Sequence, residues 1–241
     1  MRDTLAIDRF ETALYTVSEA ARYLDVPSST FRSWAHGYLR QSAGQPDVSG
    51  DPILTTVPKM RPQGPVIPFV GLAEGLVLTA LRRSGVTLQR IRPALSRLGT
   101  EFGVEHALAS RRLYTDGAEV LFDYADGEDD PDTARAVRSL VVVRNGQHVF
   151  NEVVASYLSR VEYGPDGYPQ VIELPVYEVA HVVVDPGRGF GQPIFRHGGA
   201  RLEDALSLFR AGESLEVVAD EYGVPLDQLE DAVRIATRRA A

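Results

Sequence analysis

Between Tyr15 and Tyr38 the apolar positions fall into two helical blocks separated by a tight turn. Val17, Ala20, Ala21 and Leu24 recur at the spacing of one helix face. Thr16-Val17-Ser18-Glu19 in front of them is a capping box, in which Thr16 accepts from the Glu19 amide and the Glu19 carboxylate reaches back. Asp25-Val26-Pro27 ends this helix, because Pro27 pushes Val26 out of the helical region. Ser28 or Ser29 then caps a second helix that carries Phe31, Trp34 and Ala35 and ends near Gly37. The spacing of Phe31 and Trp34 matches the apolar face, which marks them as core residues rather than base-stacking groups.

Residues 41–68 are rich in Gly, Pro, Gln and Ser around a short β-type run, Ile53 to Val57. This predicts a loop carrying a small hairpin with Lys59 and Arg61 near its edge. Helical spacing returns at Leu72, Leu76, Val77, Ala80 and Leu81 and stops at Ser84-Gly85. A further amphipathic segment holds Leu88, Ile91, Leu95 and Leu98, with Pro93 predicted to kink it or delay its start. From about residue 113 the pattern becomes mixed α and β. Asp123 to Asp132 reads as an acidic loop, and Leu140 to Val143 as a strand running into the hairpin turn Asn145-Gly146. Phe150 to Leu158 reads as a short helix, and Pro165-Asp166-Gly167 as a turn between strands near 160–163 and 170–174. After His181 to Val184 the last 40 residues read as three helices, about 201–211, 214–222 and 225–239, broken at Gly212 and Gly223. The fold class expected is mainly α with small β elements, an α+β protein. Its parts are an N-terminal helix–turn–helix domain over 1–112, a mixed α/β linking or dimerisation region over 113–180, and a small three-helix domain over 181–241.

The length of 241 residues suits more than one core, and the composition is that of an ordinary globular chain. With no cysteine there is no disulfide, thiolate metal site or nucleophilic cysteine. No apolar run approaches the roughly 20 residues of a membrane span, and the acids Asp3, Asp8 and Glu11 argue against a signal peptide. A cytoplasmic location without membrane contact is expected. The net charge of −8 conceals a division. Residues 1–112 carry 14 Lys+Arg against 10 Asp+Glu, whereas the remainder carries 11 against 23. The front half can therefore meet a polyanion although the whole chain is acidic.

Charge also separates two copies of the helix–turn–helix pattern. A helix that reads DNA needs cations or neutral donors on its exposed face. The first copy offers Ser28, Ser29, Thr30, Arg32, Ser33, His36 and, just beyond, Arg40, with no carboxylate. The second copy, residues 213–231, holds Glu213, Glu216, Asp220, Glu221, Asp227, Glu230 and Asp231 and no Lys or Arg. It would repel a duplex and is expected to face a protein.

Tyr15 to Ala21 followed by Val26 to Trp34 resembles the opening of a MerR-like winged helix–turn–helix. The resemblance covers roughly residues 13–112. It implies a dimer whose second helix enters the major groove of double-stranded operator DNA while a hairpin wing grips the backbone. Carried onto this sequence, it assigns DNA contacts to Thr16, Ser28, Ser29, Thr30, Arg32, Ser33, His36 and Arg40, with Lys59 and Arg61 in a wing over Ile53 to Arg61. Ser33 stands where family members often carry a second basic residue, which weakens the affinity expected of the helix alone. Residues 180–240 are similar to a small domain of unknown function common in VapB-type antitoxins. The match rests on Asp185-Pro186, Gly191-Gln192-Pro193-Ile194-Phe195, Gly198-Gly199-Ala200-Arg201 and the helices that follow, with Ala200 where the family usually has Thr. The whole arrangement resembles the larger VapB antitoxins of actinobacteria. That class binds a PIN-like ribonuclease toxin encoded beside it, and the pair represses its own operon. Arg188, Arg196, Arg201, Arg238 and Arg239 stand out in the acidic half, and an arginine placed among a nuclease's carboxylates would compete with its Mg²⁺.

The remaining constellations add no chemistry. His36, His106, His148, His181 and His197 show no i, i+4 pairing, so no metal or cofactor is expected. Gly187 to Gly191 lacks the Lys-Ser/Thr ending of a phosphate loop and reads as a turn that needs glycine dihedrals. Arg82, Arg83, Arg90, Arg92, Arg97, Arg111 and Arg112 either flank the DNA backbone or solvate exposed helix faces. The expected function is that of a non-enzymatic type II antitoxin. The alternatives are a stand-alone MerR-like regulator sensing a small ligand and an adaptor that never touches DNA.

Overall fold

A computed structural model describes residues 7–42 and 45–238. Among them are ten α-helices and eight short strands, so the α+β class holds. The first helix, α1 (Val17–Tyr23), begins at the expected capping box: the Thr16 amide donates to Glu19 Oε2 at 2.8 Å, and the Glu19 amide donates to Thr16 Oγ1 at 3.2 Å. The second, α2 (Ser28–His36), differs at its start from the sequence reading. Its N-cap is Pro27, which has no hydroxyl, so neither Ser28 nor Ser29 caps the helix. Both serines lie in the first turn, where amides of an α-helix lack intrahelical acceptors.

The hairpin expected around Ile53 to Arg61 lies upstream. Strands β1 (Tyr38–Ser42) and β2 (Gln45–Gly50) pair antiparallel directly after α2, with Tyr38 opposite Gly50 and Leu39 opposite Ser49. Ile53 to Val57 is instead a strap across the core. The Ile53 and Leu54 amides donate to the Trp34 carbonyl, and the Val57 amide to Val66. The Thr55 amide donates to Glu74 Oε2 at 2.6 Å. Glu74, buried and within 3.4 Å of His106 Nδ1, fixes the strap to the helix beneath it.

That helix, α3 (Phe69–Arg83), is buried from Phe69 through Leu81 and forms the centre of the molecule. Gly75 lets α2 sit directly on it: a Cβ there would lie 2.7 Å from the Phe31 ring. Helix α4 (Leu88–Phe102) starts where the sequence places it and runs on through Pro93. The acidic stretch is partly helical rather than a loop. α5 (Arg111–Asp126) incorporates Asp123 and Asp126, and Asp130 caps α6 (Pro131–Arg138) by accepting from the Asp132 and Thr133 amides. β3 (Val141–Arg144) and β4 (Gln147–Phe150) close on Asn145 and Gly146, both at positive φ as the turn requires. After α7 (Glu152–Leu158), strands β5 (Val161–Tyr163), β6 (Pro169–Glu173), β7 (Val182–Val184) and β8 (Ile194–Phe195) form an antiparallel meander. Helices α8 (Leu202–Arg210), α9 (Leu215–Tyr222) and α10 (Leu226–Arg238) complete the chain as expected.

The buried residues form a continuous cluster from Tyr15 to Ile235. Sequence-distant parts interlock within it. The buried Tyr15 hydroxyl donates to the Gly191 carbonyl at 2.8 Å, Arg9 pairs with Asp166, and the Arg111 amide donates to Gly167.

Candidate nucleic-acid interface

Packing of Phe31, Trp34 and Ala35 turns the opposite face of α2 outward. Ser28, Ser29, Arg32 and His36 are exposed there, while Thr30 and Ser33 are half-buried. No carboxylate occurs within the helix. Its uncapped first turn joins free amides to the Ser28 and Ser29 hydroxyls, a surface suited to phosphate oxygens. Two of the expected contacts already have internal duties: the Thr16 hydroxyl is bound to Glu19 at 2.7 Å, and Ser33 Oγ donates to the Ser29 carbonyl at 2.9 Å.

Although they lie outside the hairpin, Lys59 and Arg61 are exposed, and Lys59 reaches the end of α2. Partial burial together with the charges of Lys59 and Arg32 holds the His36 pKa below its ordinary value. Arg32 and Lys59 thus bring two cations, one from the helix and one from the following loop, beside the His36 imidazole. Between Lys59 and Arg61, Met60 is 93% exposed, a position the sequence reading passed over because its pattern carries no periodicity. Arg40 belongs to β1, and its side chain lies outside the described residues.

A phosphate beside His36 would favour the imidazolium that Lys59 and Arg32 now disfavour, so DNA binding should take up a proton. Affinity measured by gel shift at fixed ionic strength should rise as pH falls from 8 to 6. His36→Gln should flatten that dependence; an unchanged slope would remove His36 from the interface.

The arginines after the hairpin are largely spent on neighbours. Arg83 pairs with Asp25 at 2.7 Å, Arg90 with Asp132 at 3.6 Å, Arg97 with Glu101, and Arg112 with Asp116 at 3.4 Å. Arg92 Nη1 donates to the Asp51 carbonyl at 2.6 Å, which braces the base of the β1–β2 hairpin. These contacts favour the solvating role over the DNA-flanking one.

The second helix–turn–helix, α9 and α10 joined through Gly223 in the left-handed region, has the opposite electrostatics. Glu213, Glu216, Asp220, Glu221, Asp227 and Glu230 are exposed. The seventh carboxylate, Asp231, turns inward and is only 3% exposed. Its Oδ2 accepts from the amides of Glu178, Val179 and Ala180 at 2.8–2.9 Å, and its Oδ1 binds Arg234. Burial pushes the Asp231 pKa up, but the three amides and Arg234 outweigh it and hold it below the usual carboxylate range. Asp231 is therefore a structural clasp between α10 and the turn before β7, not part of the acidic surface.

Of the arginines expected to meet a partner, three gather around β8. Arg196 directly follows it and pairs with Glu162 and Glu173, Arg201 bridges back to Ile194, and Arg188 Nη2 would lie 2.7 Å from a Cβ on Gly199. Arg238 is exposed on the last turn of α10, and Arg239 lies outside the described residues. Arg201 also lines a groove of about 480 Å³ between α1 and the α8/α10 pair, with Arg22, Tyr23, Tyr177 and Arg210. No helix among the described residues is long and apolar enough to cross a membrane.

Residues 13–95 match a family model described as "Putative DNA-binding HTH domain". Residues 182–236 match "Protein of unknown function (DUF433)". Together with the fold, these define a helix–turn–helix protein joined to a small C-terminal domain. A protein of Mycobacterium tuberculosis (strain ATCC 25618 / H37Rv) named "Putative antitoxin VapB45" is 49% identical over 227 residues, covering 93% of this chain and 94% of the relative. The chain belongs to the VapB45 antitoxin family. A second protein of that organism, "Uncharacterized protein Rv2308", is 28% identical over 241 residues, covering 97% of this chain and 92% of the relative. The crystal structure of Rv2018 from Mycobacterium tuberculosis superposes with a TM-score of 0.81 at 47% identity, covering 94% of this chain and all of that one.

Proposed function

We propose that the chain is the antitoxin of a type II toxin–antitoxin pair. In this reading the face of α2 binds operator DNA. The C-terminal part binds and silences a PIN-like ribonuclease encoded beside it, and the complex represses its own operon. The protein acts by binding and is not an enzyme. The observation that carries the reading is the opposed electrostatics of two similar helix pairs: Arg32, His36 and Lys59 gather on the first, and six carboxylates are exposed on the second. The name of the 49% identical relative supports the same assignment. Two copies related by a two-fold axis would present two α2 helices to an inverted repeat.

β7 and β8 complete the sheet that β5 and β6 begin, and Gly191 is bonded to Tyr15. A cut near residue 180 would therefore open the shared core rather than release an intact DNA-binding part. Surface substitutions on the full chain are the cleaner probe. Co-expression with the product of the adjacent reading frame should yield a complex that retains operator binding, and a chain that purifies alone would reject the reading. A stand-alone regulator is the second reading, favoured by the groove beside α1, whose volume of about 480 Å³ falls within the range of small-ligand sites. It predicts that no protein partner is captured.

A further inference from the structure

The loop Asp185–Gly191 displays an aromatic ring at a cost to its own backbone. Phe190 has φ 55° and ψ 37°, in the left-handed region that glycine enters freely and residues with a Cβ do not. Gly189 and Gly191 on either side also have positive φ, so the chain uses glycine at two of three consecutive positive-φ positions and phenylalanine at the third. No burial of the ring offsets that choice, because Phe190 is 78% exposed.

The mount beneath the ring is rigid. The Gly187 amide donates to Asp185 Oδ1 at 2.8 Å, and the Arg188 and Gly191 amides donate to the Asp185 carbonyl. The Gln192 amide donates to the Gly189 carbonyl, and the Gly191 carbonyl accepts the buried Tyr15 hydroxyl. A ring held this way loses little backbone freedom when it is covered.

Arg188, two residues away, is exposed and makes no ion pair among the described residues, whereas Arg196, Arg210 and Arg234 are paired with carboxylates. Its guanidinium reaches Gly199, and the adjoining Gly198 abuts the Tyr222 carbonyl at the junction of α9 and α10. Arg188, two residues from the ring on the same loop, therefore borders the carboxylate-bearing helix pair. That border disfavours DNA. It also disfavours a second copy, since a two-fold contact would bring the same acidic helices together.

We propose that Phe190 is the principal anchor for the toxin. Its ring enters an apolar pocket on the partner, and a carboxylate at the rim of that pocket meets Arg188. A rigid aromatic beside an unpaired arginine has the composition of an interface hot spot. The inference rests on the antitoxin reading and adds to it the contact that carries the affinity.

The test compares the full-length chain with Phe190→Gly and Arg188→Ala, using the purified product of the adjacent reading frame as titrant in calorimetry. Phe190→Gly should weaken binding at least about thirtyfold. Its melting temperature should hold or rise as the left-handed position is relieved, and operator affinity should not change. Arg188→Ala should weaken binding less and reduce its salt dependence. Unchanged toxin affinity in Phe190→Gly overturns the inference and leaves the antitoxin reading standing. Loss of dimerisation, of operator binding or of thermal stability in that variant also overturns it. A wild-type chain that fails to bind the titrant removes both.

Discussion

Asp231→Ala should lower the stability of the chain by about 3–4 kcal/mol, because it removes the acceptor shared by three backbone amides, one of them buried, and the buried carboxylate that binds the exposed Arg234. The Glu178, Val179 and Ala180 amides all end on the one carboxylate oxygen, and Arg234 on the other. For a chain of this length the loss corresponds to a fall of about 8–12 °C in melting temperature. Asp231→Asn should fall between, since its carbonyl oxygen still accepts but without charge. The effect carries a pH signature. The folded-state pKa lies below the unfolded value, so the stabilisation is present above the unfolded carboxylate pKa and is lost as pH falls through the folded one. Wild type should therefore lose more stability than Asp231→Asn on acidification from neutrality toward pH 3, as read by denaturant titration. Parallel curves would contradict the clasp.

Asp231 also marks where sequence reasoning stopped. Counting carboxylates over 213–231 correctly set the sign of the α9–α10 surface but placed all seven on it. The missing signal lay in the spacing, since Asp231 shares the buried face of α10 with Gln228, Leu229, Ala232 and Ile235. Features fixed by neighbours in sequence were open to reading: the Thr16–Glu19 capping box, the Asn145-Gly146 turn, and the helix breaks at Gly212 and Gly223. The β1–β2 hairpin was not, because its Gln, Pro, Asp and Ser residues have low strand propensity. The more apolar Ile53 to Val57 drew the prediction, yet it bonds to Trp34, Glu74 and Val66 rather than to a partner strand. Contacts between distant segments, such as Tyr15 with Gly191, leave no periodic trace and appear only in the folded chain.

At the candidate interface, the types and spacing of residues on α2 could be read, but not the company Lys59 keeps with His36 and Arg32. Arg32→Ala should weaken operator binding by about tenfold to a hundredfold at fixed salt. The accompanying changes separate two roles. A base-reading Arg32 relaxes specificity at one operator position, whereas a phosphate-binding Arg32 weakens all sequences alike and lowers the salt slope by about one. Arg32→Glu should abolish binding in either role. Retained affinity in both variants would detach α2 from the DNA.

The most direct measurement takes the purified product of the adjacent reading frame, which the account expects to be a nuclease, and follows cleavage of RNA by it against rising concentrations of the full chain. Activity should fall to background near stoichiometric addition, with the two proteins eluting as one complex that still shifts operator DNA. Undiminished cleavage, with the two proteins eluting separately, would contradict the account.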